Sequence, residues 1–239
     1  MTILACETST LLGSVAILED GTLLSFEESM RQGSHSDVLN VFIEKALNTA
    51  GKTLADIDYF ACGIGPGSFT GLRISLNTIK TLAYCHQKPV IGISSLQTLA
   101  FQSASQKKSA EFSNIPIVSM INAYKNMVYV ATYSPGPIEL QELKPPEVIR
   151  VQNLGEYITE KSLVCGDGYQ AYQKFFPQIL SEKMIRLQDV SDEPAAKNLA
   201  RLAEKNSSLH QPWNHLLPLY LRASEAEENL LGIKYQPLI

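Results

Sequence analysis

Cysteine is scarce in this sequence, and none of it is paired by spacing. Cys6, Cys62, Cys85 and Cys165 are scattered along 239 residues, each in an apolar run, without a CxxC pair. Such a distribution favours small buried thiols in a reducing compartment over a disulfide framework. It also argues against a structural zinc site built from cysteine.

Positive charge is sparse as well. The formal net charge is -4, and the densest basic run is only Lys107 and Lys108. A protein that grips an RNA backbone by itself is expected to show a basic stripe. The composition therefore argues against autonomous nucleic-acid binding.

Long hydrophobic runs are absent too. No apolar run approaches the roughly 20 residues that a membrane span needs, and the N-terminal MTILACETST lacks the basic region of a signal peptide. We therefore expect a cytoplasmic protein that does not cross a membrane.

What the sequence does contain is an alternation of strands and helices. TILACET and GSVAILEDGTLLSFEES predict three strands, with a hairpin at Asp20–Gly21. SHSDVLNVFIEKALNTAG has the apolar spacing of a helix, with Ser34 placed to cap it and Gly51 to end it. IDYFACGIG, SFTGLRISLNTIKTLAYCHQ, PVIGISS and SLQTLAFQSAS then predict strand, helix, strand and helix. The order predicts an α/β fold with a mixed sheet.

The second half repeats this plan in reduced form. KKSAEFSN is the candidate boundary, which gives an N-terminal lobe of residues 1–106 and a reduced C-terminal lobe of residues 107–239. IPIVSMI, MVYVATYS and EVIRV predict a second meander, followed by a short helix at 154–161, the strand–turn–helix LVCGDGYQAYQKFF and a helix at 194–206. We interpret it as a degenerate second copy of one architecture.

The glycine-rich stretch GIGPGSFTGLR raises the question of a phosphate loop. It lacks the lysine of a Walker motif, and Ser68 stands where a dinucleotide fingerprint needs glycine. The stretch instead predicts a tight turn, with Ser68 or Thr70 capping the next helix. A phosphate at that helix start is the secondary interpretation, with Arg73 available to a ligand or a partner carboxylate.

Two further stretches have the residue types of phosphate or metal sites. Glu7, Thr8 and Ser9 end the first strand, where ATP-binding folds hold metal and phosphate, although the hydroxyls satisfy a turn equally well. Gly166, Asp167 and Gly168 follow an apolar strand and suggest a second phosphate loop, but such a run is more often a plain strand-to-helix turn.

Motifs for metal or nucleophilic catalysis are missing. His35 has Leu39 at the position of a second ligand, and His86, His210 and His215 form no HxxxH pair. No GxSxG supports a serine hydrolase. These absences argue against a metal site and against a serine nucleophile.

The first helix has an apolar face close to half its circumference. One stripe suffices to cover a sheet, so the extra surface is explained equally by a deep core helix or by a helix-on-helix interface. The apolar residues of the first two helices that carry this prediction are Val38, Leu39, Phe42, Ile43, Ala46, Leu72, Leu76, Ile79 and Ala83.

Taken together, ETST, HSDVL, GIGPGSFTGLR, GISSLQTLA and PLYLR resemble one family, TsaB (YeaZ). The resemblance covers most of the chain, and GPGSFTGLR is its most specific element. It implies the ribonuclease H-like fold of actin, sugar kinases and heat-shock ATPases, in two lobes with the second one reduced.

The resemblance also implies a function. Members of the family are pseudo-ATPase scaffolds that dimerise with the catalytic paralogue TsaD, which has the HxxxH metal motif, and act with the small ATPase TsaE. Together they place threonylcarbamate on the adenosine beside the tRNA anticodon. The implied pairing surface is the first two helices, here Ser36 to Ala50 and Thr70 to Cys85. No cofactor is expected on this subunit, ATP and metal are expected on the partners, and tRNA contact is expected only through the complex.

Two departures from the family pattern accompany this resemblance. Glu7 stands where the family usually has Asp, and Asn122-Ala123-Tyr124 replaces an Asp-Ala-Arg triplet. Both argue against nucleotide binding of the usual kind by this subunit alone. A homodimer through the same helices is an alternative assembly. The alternative function is an ATP- or metal-dependent enzyme of the same fold, either a kinase-like phosphotransferase or a glycoprotease-like hydrolase.

Overall fold

The chain folds into two compact units. The computed structural model describes residues 1–30, 35–105, 114–135, 140–223, 227 and 230–232. The first unit comprises residues 1–98 and 193–219, and the second comprises 99–192 and the described residues from 220 onward. The boundary predicted after residue 106 was a single cut, whereas the chain returns to the first unit at Glu193. The sequence gives no sign of this return, because it is made by long-range packing.

The first unit is built on a mixed five-stranded sheet with the order β3-β2-β1-β4-β5. β1, β2 and β3 form the predicted antiparallel meander, and β4 and β5 continue it in parallel. Asp20 and Gly21 both have positive φ, as a two-residue hairpin requires. The strands are β1 (Thr2–Glu7), β2 (Leu12–Glu19), β3 (Thr22–Met30), β4 (Tyr59–Gly65) and β5 (Val90–Ser94).

Three helices follow strands of this sheet, as the periodicity predicts. They are α1 (His35–Ala50), α2 (Phe69–His86) and α3 (Ser95–Ser105). The predicted cap at Ser34 lies outside the described residues. α1 and α2 lie side by side and pack on one face of the sheet, against the side chains of Leu4, Val15 and Ile17.

The second unit repeats the strand order of the first, as β8-β7-β6-β9-β10. Its elements are β6 (Ile117–Asn122), β7 (Met127–Pro135), β8 (Leu140–Arg150), β9 (Ser162–Cys165), α4 (Asp167–Tyr172), α5 (Gln178–Ser181) and β10 (Met184–Ile185). The predicted helix at 154–161 is instead a 3-10 segment, Val151–Glu156. Two mixed five-stranded sheets in one chain confirm the predicted α/β fold with two lobes.

The last helix, α6 (Ala196–Lys205), belongs to the first unit and confirms the predicted helix at 194–206. It contacts β1, β2 and β4. The Ser14 hydroxyl on β2 accepts a hydrogen bond from the Ala196 amide at 2.9 Å, which satisfies one of the free amides at the helix start. α6 therefore attaches the C-terminal part of the chain to the first sheet.

Among the described residues, none of the helices is both long and apolar enough to cross a membrane.

Candidate functional site

The turn from β4 to α2 contains the glycine-rich stretch and packs directly on the end of β1. The peptide bond between Gly65 and Pro66 is cis. A Cβ added at Gly71 would lie 2.0 Å from the Thr8 carbonyl oxygen, so only glycine fits there. The predicted cap is confirmed at Ser68, whose hydroxyl accepts from the Gly71 amide at 3.2 Å. The stretch is therefore a fixed turn against the strand end.

The Ser68 and Gly71 amides at the start of α2 are bonded within the protein. The Ser68 amide donates to the Ser9 carbonyl at 2.6 Å, and the Thr8 hydroxyl donates to the Gly71 carbonyl at 2.8 Å. A phosphate at a helix start needs exposed amides, whereas here the turn after β1 occupies that position. Thr8 and Ser9 are buried, so the phosphate-facing role predicted for them is not what the geometry supports.

Two other residues of that prediction point outward. Thr70 and Arg73 are exposed on the first turn of α2. The Arg73 guanidinium carbon lies 3.8 Å from the centre of the Phe69 ring, a cation–π contact within the same helix. The Arg73 side chain therefore packs over the first turn of α2.

Glu7, at the end of β1, is completely buried. Its carboxyl accepts hydrogen bonds from the Ser9 amide at 2.8 Å and from the Ser95 hydroxyl at 3.0 Å. Burial raises the pKa of Glu7, and the hydrogen bonds from Ser9 and Ser95 partly offset that rise. The carboxyl thus joins the end of β1 to the start of α3.

Gly63, the first residue of the glycine-rich stretch, makes room for this carboxyl. A Cβ on Gly63 would lie 2.1 Å from Glu7 Oε2. The Glu7 carboxyl therefore fits because β4 has no side chain at that point. A signal was present, since a glycine inside a strand often marks a close approach.

The GDG stretch in the second unit is a strand-to-helix turn, the simpler of its two interpretations. The Gly166 amide donates to Asp192 Oδ1 at 2.8 Å, and Asp167 Oδ1 accepts from the Asn122 amide at 2.9 Å. Gly166 has φ 104°, and a Cβ there would lie 2.0 Å from the Met120 carbonyl oxygen. Gly168 also packs against Met120. Burial raises the pKa of Asp167 to about 6.

Asp192 organises this turn and was missed by the sequence analysis. Besides the Gly166 amide, its carboxylate accepts from the Gln170 amide group at 2.6 Å and from Arg186 at 2.5 Å. Arg186 also donates to the Val164 carbonyl at 2.9 Å. The residues that meet here come from distant parts of the sequence, so no local motif announces them.

The Asn122-Ala123-Tyr124 triplet forms the turn between β6 and β7. Asn122 Oδ1 accepts from the Tyr124 amide at 2.8 Å, and Tyr124, Lys125 and Asn126 all have positive φ. The Arg222 guanidinium donates to the Ala123 carbonyl. Asn122 therefore supports the turn through its side-chain oxygen.

The apolar residues named for partner binding are placed in the core of the first unit. The excess exposed surface expected from the pattern is absent there, so that part of the prediction is wrong. Val38 is half-buried, and the following are buried in one cluster with the sheet: Leu39, Phe42, Ile43, Ala46, Leu72, Leu76, Ile79 and Ala83. The deep-core interpretation, which the sequence left open, is the correct one for these side chains.

The outward faces of α1 and α2 carry different residues. The exposed residues include Asn40, Val41 and Glu44 on α1 and Asn77 and Thr81 on α2. Val41 is 45% exposed and is the apolar member of the set. We call these five residues the outer stripe. The two helices still offer a surface, but it is largely polar.

Within the described ranges, no three His, Cys, Asp or Glu side chains come together as metal ligands.

Comparisons with known proteins agree with this architecture. The family model of TsaD, described as tRNA N6-adenosine threonylcarbamoyltransferase, matches residues 29–230. The chain is 33% identical to the tRNA threonylcarbamoyladenosine biosynthesis protein TsaB of Escherichia coli, over 97% of this chain and 99% of that protein. It is 26% identical to the TsaB of Bacillus subtilis, over 95% and 96% of the two chains.

A solved structure from Pseudomonas aeruginosa, described as an uncharacterized protein with similarity to peptidase YeaZ, has a TM-score of 0.80. It shares 27% identity, over 92% of this chain and 99% of that chain. Sequence and fold thus match the same relatives over nearly the whole chain. The chain belongs to the TsaB (YeaZ) family of tRNA threonylcarbamoyladenosine biosynthesis proteins, a family related to the transferase TsaD.

Proposed function

We propose that the chain is a non-catalytic subunit that enables threonylcarbamoyl transfer to the adenosine beside the tRNA anticodon. It does so by pairing with a TsaD-like transferase through α1 and α2 and by recruiting a TsaE-like ATPase. The observation that carries this proposal is the side-by-side packing of α1 and α2, whose outer stripe is exposed while their apolar faces hold the sheet.

The match to the transferase model supports pairing with a paralogue. Residues 29–230, which include both helices, match the TsaD family model. Two chains with the same helix pair can meet about an approximate two-fold axis, as copies do in an isologous dimer. The same geometry makes a second copy of this chain the competing occupant of the surface.

The acidic residues support a non-catalytic role for this subunit. The Glu7 carboxyl is buried and binds Ser9 and Ser95, and Asp167 binds the Asn122 amide. Both are occupied in holding turns, so neither is placed as a general base or metal ligand toward a substrate. In this proposal ATP and metal belong to the partner subunits, tRNA is reached through the complex, and the protein works in the cytoplasm.

Two arginine substitutions on the outer stripe test the pairing. Val41→Arg together with Thr81→Arg adds bulk and charge to both helices without touching the core, so the monomer keeps its fold. We expect affinity for the transferase to fall at least about 100-fold, because two new long, charged side chains would hold the paired helices apart. Analytical ultracentrifugation with purified transferase measures the affinity of each variant.

Gln152→Arg, an exposed change in the second unit, is the matched control. Unchanged binding by the double variant, with the control also unchanged, would contradict pairing through these helices. Glutamate at Ile43 or Leu76 is unsuitable for this test, since both are buried in the core and the change would unfold the first unit.

Calorimetric titration of the isolated chain with ATP and Mg²⁺ tests the alternative, an enzyme of the same fold. The proposal predicts no heat of binding at micromolar concentrations. Micromolar affinity with turnover would contradict it.

A further inference from the structure

An irregular segment of the first unit, residues 207–219, lies across β5 and α2, and we call it the strap. Its start is held at Val90 by two backbone hydrogen bonds of 2.9 Å with Gln211. Its middle is held by Lys80, whose ammonium donates to the Leu216 carbonyl at 3.1 Å, with the Leu216 side chain buried in the core. Its end is held by the Leu219 amide, which donates to the Ile64 carbonyl at 2.8 Å. The strap is therefore a fixed part of the surface.

The outer side of the strap is apolar and aromatic. Trp213 packs edge-on against Tyr84 of α2, with ring centroids 5.3 Å apart, and both stay open to solvent at 38% and 56% exposure. Leu217 is 67% exposed, next to the buried Leu216. Lys80 and Tyr84 are one turn apart on α2, so the two contacts align along one flank of the helix. We call Tyr84, Trp213 and Leu217 the strap face.

The strap face adjoins the outer stripe. On a helix of 3.6 residues per turn, Tyr84 is displaced by about 60° from Thr81 and by about 20° from Asn77. A partner seated on the outer stripe therefore reaches the strap face as well. The two surfaces differ in character, because the stripe is polar apart from Val41, while the strap face has a tryptophan, a tyrosine and a leucine.

Protein interfaces need an apolar, well-packed centre, and Trp and Tyr are the residues most enriched at such centres. The outer stripe does not supply one, since the apolar residues of α1 and α2 are buried in the core. The strap face supplies it at the adjoining position. The binding energy for a partner is thus expected at this edge of the helix pair.

The two segments that form the strap face contain no acidic residue, although Glu44 lies on the adjoining outer stripe. No Asp or Glu occurs from Tyr59 to Ala110 or from Lys205 to Ser224, although the chain has 24 acidic residues. These two segments supply α2 and the strap, with Lys88, His210 and His215 among their basic groups. A second copy would bring two acid-free surfaces together, whereas a partner with carboxylates would find complementary charge.

We propose that the strap face is the anchor of the interface with the transferase subunit, which meets it with an apolar pocket rimmed by carboxylates. The inference rests on the proposed function, because it assigns the main contact of that pairing. RNA is the weaker candidate for this surface, since three exposed apolar side chains with few cations fit a protein pocket better than a phosphate backbone.

The test uses the fact that Trp213 is the only tryptophan in the chain. The chain is labelled with 5-fluorotryptophan, so that one fluorine NMR resonance reports on the strap face even when the partner has tryptophans. Purified transferase, purified ATPase and tRNA are added one at a time. We expect the resonance to shift when the transferase saturates the chain, and not with the ATPase or tRNA alone.

Leu217→Glu, which changes an exposed side chain, is expected to weaken transferase binding at least about 10-fold. Leu217→Lys is expected to weaken it less, because the partner rim is acidic. Leu143→Glu on β8, at 50% exposure, is the matched control and should bind like the unchanged chain.

Several results would overturn the inference: an unshifted resonance in a complex that ultracentrifugation shows to be formed, equal binding by Leu217→Glu, or a larger loss with Leu217→Lys. The inference would also be overturned if the resonance shifts when the chain alone is concentrated, or when the ATPase or tRNA alone is added. In either case another molecule would occupy the strap face. If Val41→Arg plus Thr81→Arg loses binding while Leu217→Glu does not, the chain pairs through the helices but the strap face is not the anchor of the interface. If no complex forms with the unchanged chain, the proposed function itself fails.

Discussion

The two units have the same sheet order but differ in the length of the helices that connect their strands. In the first unit β4 leads into α2 of 18 residues, and in the second β9 leads into α4 of 6 residues. In both units a glycine near the strand-to-helix turn packs against a backbone carbonyl. A Cβ added at Gly71 or at Gly166 would lie 2.0 Å from that carbonyl oxygen. Close backbone approach at the turn is thus retained in both copies, while helix length is not. Among the described residues, helices of 16 and 18 residues connect strands in the first unit and none of that length does so in the second.

The buried acidic residues of the two units also differ, in the groups that they bind. Glu7 ends β1 and binds the hydroxyl of Ser95, whereas Asp167 starts α4 and binds the amide of Asn122 at the end of β6. Glu7 joins β1 to the start of α3, whereas Asp167 joins the start of α4 to the end of β6. In both units a carboxyl thus stabilises the fold near the carboxyl end of a strand, which is where open α/β sheets generally bind ligands.

The largest expected effect comes from filling the two glycine contacts. Gly71→Ala and Gly166→Ala should each cost roughly 3 kcal/mol or more, since each Cβ meets a backbone carbonyl and Gly166 also has positive φ. Hydrogen exchange followed by mass spectrometry should show loosening confined to the first unit for Gly71→Ala and to the second for Gly166→Ala.

Gly155→Ala is the control, because a Cβ there meets nothing within 4 Å. It should be neutral or slightly stabilising. Loss of protection in both units from either single change would contradict the view that each turn stabilises its own sheet.

A smaller effect is expected from Asp167. Its pKa is raised from 3.8 to about 6 in the folded chain, so the carboxyl is protonated in both states below pH 3.8 and favours folding most there. The contribution is lost as the pH rises from about 4 to 6, roughly 3 kcal/mol in all. Asp167→Asn, which keeps an oxygen acceptor for the Asn122 amide, should flatten this part of the stability curve.

Urea unfolding at a series of pH values measures this dependence. Asp56→Asn in the first unit is the counterpart of opposite sign, because hydrogen bonds from Thr53 lower the pKa of Asp56. An unchanged pH profile in Asp167→Asn would show that this carboxyl is not the source of the dependence.

The smallest effect is expected where α6 docks on the first sheet. Ser14→Ala removes the acceptor for the Ala196 amide and should cost about 1 kcal/mol. Ser25→Ala on the neighbouring strand is the matched control, since its buried hydroxyl has no hydrogen-bond partner among the described residues. Its replacement should be neutral or stabilising. Equal losses in thermal denaturation would argue against a specific role for Ser14 as the helix cap.

Local patterns predicted the fold well. The Asp20–Gly21 hairpin, the Ser68 cap and the helices α1 and α2 follow from periodicity and turn chemistry, which act over a few residues. The repeated sheet order also followed, because both halves begin with a meander and continue with a strand and helix.

The site was harder to predict, because burial is decided by long-range packing. A wide apolar face on α1 fits a core helix or an interface equally well, and only the sheet beneath it shows that Phe42 and Ile43 are buried. The strap has no periodic pattern at all, so its contacts at Val90 and Lys80 could not be read from residues 207–219. Gly63, which leaves space for the Glu7 carboxyl because it has no side chain, lies 56 residues further along the chain.

Reconstituted tRNA modification tests the central claim most directly. Purified transferase, ATPase, tRNA and the substrates of the reaction are assayed for threonylcarbamoyladenosine with and without this chain. The account predicts product only when the chain is present, loss with Val41→Arg plus Thr81→Arg, and full activity with Glu7→Gln and Asp167→Asn. Loss of product with either acid variant, in a chain that still folds and binds the transferase, would contradict a non-catalytic role.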